Sequence, residues 1–155
     1  MITKFTLTKI KIPIKRERSK SDDPIVLIVE DNDFQLNAQT MILKSLKVEF
    51  LVAKNGQSAV QIYEQKAAEN QFFTLILMDL IMPILDGHNA TQRIREIESE
   101  NNYKKTFICG LSSDSSKGVE AKCKKSGMDI YKQKPVGAVG INELISQIHL
   151  KSKNL

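Results

Sequence analysis

Two short runs in this chain, PIVLIV at 24–29 and TLILM at 74–78, are apolar at almost every position. A strand with one wet face alternates; an uninterrupted apolar run belongs to a strand covered on both faces. The chain therefore has to build a sheet enclosed between layers of other elements. Further short strands are expected at 48–53, 106–111 (TFICGL) and 128–131.

Helical patterns fill the intervals. Residues 34–47 place Phe34, Ala38, Met41, Ile42 and Ser45 at helical spacing, with Asp33 or Asn32 able to cap the start. Asn55-Gly56 reads as a turn before a helix at 57–69, whose inner face is Ala59, Val60, Ile62 and Tyr63. After the breakers Pro83 and Gly87, with Asp86-Gly87 making a turn, a helix is expected at 88–98. Another spans 116–125 and is closed by Ser126-Gly127, with Gly127 as a left-handed cap. The last, 139–151, carries Ile141, Leu144, Ile145 and Ile148 on one stripe. Strands alternating with helices imply a parallel sheet, right-handed crossovers and helices on both faces.

Length and charge set the boundaries. The chain's 155 residues fit one domain and a short tail, and 41% hydrophobic content supports a core without disulfides or structural metal. No run approaches the roughly 20 apolar residues of a membrane-spanning helix, and lysines interrupt the start, so no signal-peptide core is present. Cys109 and Cys123 read as buried free thiols in a reducing cytoplasm. The net charge of +5 is uneven: residues 1–23 hold seven basic and three acidic side chains, leaving the remainder at +1. The polar stretch 16–23 reads as a linker, so residues 1–23 form a basic tail and 24–155 the domain.

Ligands of such sheets bind beyond the carboxyl ends of the strands. Here those ends carry Glu30-Asp31, Asp79, Ser112-Ser113 and Lys134-Pro135. Acids that directly follow apolar runs are costly unless paired. Three converging carboxylates call for a hard divalent cation such as Mg2+. A carboxylate beside that cation can attack phosphorus. Lys134 would hold one phosphate oxygen as a point charge, and the Ser112 hydroxyl another.

These residues resemble the receiver domain of two-component response regulators and hybrid histidine kinases. The resemblance rests on VEDN at 29–32, MDLIMPILDG at 78–87, LSS at 111–113 and YKQKP at 131–135, and spans about 24–149. It implies a flavodoxin-like, doubly wound five-stranded parallel sheet of order 2-1-3-4-5 with five helices. It makes Asp79 the phosphoacceptor, and Glu30, Asp31, Asp79 and the Ile81 backbone carbonyl the ligands of Mg2+, with Mn2+ as a substitute. Ser112 becomes the switch hydroxyl and Tyr131 the aromatic that turns inward on activation. Lys134 holds phosphate, and Pro135 follows a cis peptide bond. The implied partner is a histidine kinase or phosphotransfer protein. A dimer would use the face around the fourth and fifth strand–helix units.

Ile81 departs from the polar residue common at its position in such domains, and an apolar side chain there is expected to hinder an attacking water. Residues 4–14 (KFTLTKIKIPI) faintly resemble the last strands of a histidine kinase ATP-binding domain, which would make the chain the C-terminal part of a hybrid sensor kinase, cytoplasmic or at the cytosolic end of a membrane sensor. Only residues 151–155 follow, so no DNA-binding output domain is expected. His88 and His149 are expected at the surface. As a phosphoacceptor the domain would assist its own phosphorylation and dephosphorylation. An aspartyl phosphatase would want a second acid where Ile81 stands. A phosphorylation-independent binding module, and nucleic-acid binding through the tail, are the remaining rivals.

Overall fold

The computed structural model describes residues 23–153; the tail reading for 1–22 lies outside the described residues. Five strands and five helices alternate: β1 (Ile25–Val29), α1 (Asp33–Ser45), β2 (Glu49–Ala53), α2 (Gly56–Ala68), β3 (Leu75–Asp79), α3 (Gly87–Glu100), β4 (Phe107–Ser112), α4 (Val119–Ser126), β5 (Ile130–Gln133) and α5 (Ala138–Lys153). All pairings are parallel, in the order β2-β1-β3-β4-β5. That is the expected flavodoxin-like winding.

Alternate residues of the central strands feed two cores. Val26, Ile28, Leu75, Leu77, Cys109 and Leu111 pack with Leu36 and Leu43 of α1 and with Ile141, Leu144 and Ile145 of α5. Leu27, Val29, Ile76, Met78 and Ile108 pack on the other side with Ala59 and Tyr63 of α2, Ala90 and Ile94 of α3, and Cys123 of α4. This is why the runs at 24–29 and 74–78 are apolar throughout: each residue meets one helical layer or the other. Cys109 and Cys123 are both buried and free, in opposite layers.

Local signals placed most boundaries. Asn32 caps α1, its side chain accepting from the Gln35 N–H, and Asp86 caps α3 through the Asn89 N–H. Asn55, expected in a turn, instead caps α2. Gly127, at φ 99°, ends α4 as expected. Three readings need correction. In α1 the face toward the sheet is Leu36, Gln39 and Leu43, while Phe34 and Met41 are 82% and 69% exposed and Ala38 and Ser45 also face solvent. Both stripes carry apolar residues, so spacing alone could not choose between them. Helix α4 starts at Val119 instead of 116, because Gly118 stands at φ 104°, outside right-handed helix. Strand β5 lies two residues later than expected, since Gly127 and Met128 spend their N–H groups on Lys124 O and Cys123 O to close α4.

One buried polar cluster was not foreseen. Glu98 is 2% exposed and accepts from Tyr63 Oη at 3.1 Å, the Thr106 N–H at 2.7 Å and Arg95 Nη1 at 2.6 Å. Arg95 also donates to Gly127 O, Thr106 O and Asp129 Oδ2. Helices α2 and α3 are thereby tied to the starts of β4 and β5.

Candidate functional site

The carboxyl ends of β1, β3, β4 and β5 meet along one edge of the sheet, and the polar residues that follow them converge there. Glu30 hydrogen-bonds into the sheet, its N–H donating to Ala53 O at 3.0 Å. Its side chain is 1% exposed, and Oε1 accepts from the Asn32 N–H at 3.1 Å. Asp79, the last residue of β3, is 6% exposed, whereas Asp31 is open to solvent. The three carboxylates each offer an oxygen within 4.8 Å of the other two.

Lys134, just beyond β5, joins this group. Its Nζ lies 2.6 Å from Glu30 Oε2 and 3.1 Å from Asp79 Oδ1. The Lys134 N–H donates to Ser112 O at 2.8 Å, which ties its backbone to the end of β4. The Lys134-Pro135 peptide is cis, as expected.

Asp79 is held unlike an ordinary aspartate. Burial first, and the Glu30 charge second, raise its pKa from 3.8 to about 6; Lys134 and the Ile81 N–H, 3.4 Å from Oδ1, pull the other way. The carboxylate is ionised at neutral pH yet poorly solvated. The turn beyond it is tight: the Gly87 N–H donates to Leu80 O at 3.1 Å, and a Cβ on Gly87 would collide with Asp79 O. Between them Ile84 adopts φ 72°, and the Leu85 N–H closes a three-residue turn onto Pro83 O at 2.9 Å. Ile81 and Ile84, in the segment that follows Asp79, are 76% and 80% exposed.

Ser112 ends β4 with 4% exposure, its Oγ accepting from the Asp114 N–H at 3.1 Å. The Tyr131 hydroxyl donates to Asp114 O and lies 3.5 Å from Ser112 O, so the ring already leans toward the β4–α4 loop. Asp114, which the sequence reading passed over, is the hub of that loop; its Oδ1 also accepts from the Ser116 N–H at 2.8 Å. An acid among serines was the available signal. His88 is half-buried and not simply at the surface: Nδ1 lies 3.1 Å from Ser126 Oγ. Ser126 Oγ donates its own proton to Cys123 O, so the His88 ring is the donor. Burial and nearby Lys122 lower the His88 pKa.

The donor set suits a hard cation. Glu30, Asp31 and Asp79 bring three carboxylate oxygens within 4.8 Å of one another, an all-oxygen donor set of the kind Mg2+ takes.

Residues 26–148 match the family model for the response regulator receiver domain. The chain is 38% identical over 123 residues to the peroxide stress-activated histidine kinase mak1 of Schizosaccharomyces pombe, covering 79% of this chain but only 7% of that kinase. The receiver domain of the Saccharomyces cerevisiae response regulator Ssk1, solved with the histidine phosphotransfer protein Ypd1, superposes with a TM-score of 0.73 at 31% identity, covering 81% of this chain and 88% of that one. The receiver domain of the Pseudomonas aeruginosa sensor histidine kinase PA1611, solved with magnesium in its active-site cleft, gives 0.68 at 28% identity, covering 82% and 98%.

Proposed function

The chain belongs to the response regulator receiver family, and from that premise we propose that Asp79 accepts a phosphoryl group from a phosphohistidine. One Asp79 carboxylate oxygen attacks phosphorus in line, the P–N bond breaks, and the imidazole leaves with the electron pair and takes up a proton. The product is an acyl phosphate on Asp79.

Mg2+, where bound, neutralises charge on the phosphoryl oxygens. Glu30, Asp31, Asp79 and the Ile81 carbonyl are the residues to hold it, with Mn2+ as a substitute. Lys134 would swing its ammonium from Glu30 to a phosphoryl oxygen, and the buried Ser112 hydroxyl would donate to a second. Drawing Ser112 toward phosphate frees its Oγ from the Asp114 N–H. Because Tyr131 holds the same loop through Asp114 O, the chemistry reaches the face formed by β4, α4, β5 and α5. The single observation that supports this reading best is Lys134 Nζ bridging Glu30, just past β1, and Asp79, the last residue of β3.

Two largely exposed apolar side chains lie near the site: Ile81, whose N–H lies 3.4 Å from Asp79 Oδ1, and Phe34, which lines a hollow with Ser113 and Lys134. Apolar groups around a charged centre suit an approaching protein better than a small solute. We take the donor to be a histidine kinase or a phosphotransfer protein, the latter being what the Ssk1 receiver is bound to. As the chain spans a small fraction of its kinase relative, a place within a longer hybrid histidine kinase, cytoplasmic at this end, is part of the proposal. Among the described residues no helix is long and apolar enough to cross a membrane.

Incubation with a small phosphodonor and Mg2+, read by intact mass, tests the reading. A single phosphoryl adduct that needs Mg2+, is labile to base and vanishes in Asp79→Asn is expected. Absence of any adduct would favour a module that binds without phosphorylation.

A further inference from the structure

We propose that a lysine-rimmed pocket at the edge of the sheet opposite Asp79 docks an acidic segment of a partner protein, which inserts one aromatic or aliphatic side chain. The pocket lies between the segments entering β3, β4 and β5 and the last turn of α5, with a volume of about 340 Å³. That is near the lower end of the roughly 300–1,000 Å³ typical of ligand-binding cavities. Phe72, Phe107 and Ile148 supply its apolar lining, and the exposed Lys104, Lys105 and Lys151 supply charge. Two contacts brace the walls: Phe72 meets Tyr103 edge-on at 5.1 Å, and Lys151 Nζ sits 5.6 Å from the Phe107 ring centroid.

The three lysines are not neutralised at home. Among the described residues none of them is paired with a carboxylate. Asp129, the acid beside them, gives Oδ2 to Arg95 Nη2 and to the Ile108 N–H. An apolar hollow under unpaired ammonium groups is complementary to an apolar side chain flanked by carboxylates.

Charge and shape choose the occupant. Ile25, at the start of β1, lies beside the pocket, for its N–H donates to Thr74 Oγ1 and Thr74 lines the cavity. Residues 1–23, which precede it in sequence, carry seven basic and three acidic side chains, a charge the lysines repel. A second copy has no net negative charge to offer. A bilayer favours a flat or protruding apolar face, and this one is concave. The pocket shares no residue with the Asp79 site, so it stands or falls independently of the phosphoryl chemistry.

Titration of the 15N-labelled full chain with a synthetic peptide, one phenylalanine between aspartate pairs, tests the proposal by amide shifts. Shifts centred on 72–74 and 104–107 are expected. Affinity should weaken about tenfold in K104E/K105E/K151E, and similarly when serine replaces the peptide phenylalanine. The three lysines are exposed, so the variant should fold and still take phosphate on Asp79. Absence of shifts, equal binding by the variant, or indifference to the loss of phenylalanine overturns the proposal. So does binding to phosphatidylserine vesicles in place of the peptide.

Discussion

Lys134 Nζ lies 2.6 Å from Glu30 Oε2, joining residues 104 positions apart in a pocket that leaves Glu30 1% exposed. A buried pair of this kind is costly to break from one side, because the remaining charge stays in place. Lys134→Ala is expected to destabilise the metal-free domain by about 3 kcal/mol. Mg2+ should restore much of that loss, as a second cation for the same carboxylates. Urea unfolding in EDTA and in excess Mg2+ measures both.

Asp79 supplies a pH test. Its folded pKa of about 6 lies above the ordinary 3.8, so ionising it costs the native state. The penalty is absent below about pH 4 and complete above about pH 6. The full shift corresponds to about 3 kcal/mol, which solvent at the open mouth screens to about 1–2 kcal/mol. Asp79→Asn should therefore raise stability in metal-free buffer at pH 8, with the gain fading as pH falls to 4. Thermal melts across that range in EDTA check the sign; a gain that grows on acidification would refute it.

Ile81 is 76% exposed, and its N–H lies 3.4 Å from Oδ1 of Asp79, the proposed phosphoacceptor. An apolar group there excludes the polar contacts that would orient water for hydrolysis. Ile81→Asn should speed decay of the acyl phosphate by about tenfold, or ~1.4 kcal/mol of barrier. An unchanged decay rate in the purified phosphoprotein would remove Ile81 from the account.

Ile84 is β-branched and stands at φ 72° while 80% exposed. Substitution by glycine removes backbone strain and sacrifices little packing. Ile84→Gly is expected to stabilise the domain by about 0.5–1 kcal/mol, in contrast to glycine placed at an ordinary position. Chemical denaturation decides the sign.

Glu98 satisfies three donors while almost wholly buried. Glu98→Ala leaves the Thr106 N–H, the Tyr63 hydroxyl and much of the Arg95 charge without partners, and should cost about 3–5 kcal/mol. Glu98→Gln, which keeps an acceptor, should cost less.

The amino-acid order alone determined the alternation of strands and helices, and with it a parallel sheet covered on both faces and the edge where polar residues gather. Apolar runs such as 24–29 can exist only inside two layers, and each ends at a residue type that needs a partner. Glu30, Asp31, Asp79, Ser112 and Lys134 were legible for that reason. Tertiary structure decided what local pattern left degenerate. Helix α1 has two apolar stripes, and only docking on the sheet buried Leu36 and Leu43 in preference to Phe34 and Met41. The Glu98 cluster, the His88–Ser126 contact and the lysine-rimmed pocket each join segments remote in sequence, and no periodicity records such meetings. Spacing along a chain reports which face a residue shares; what lies across from that face is known only once the layers have packed.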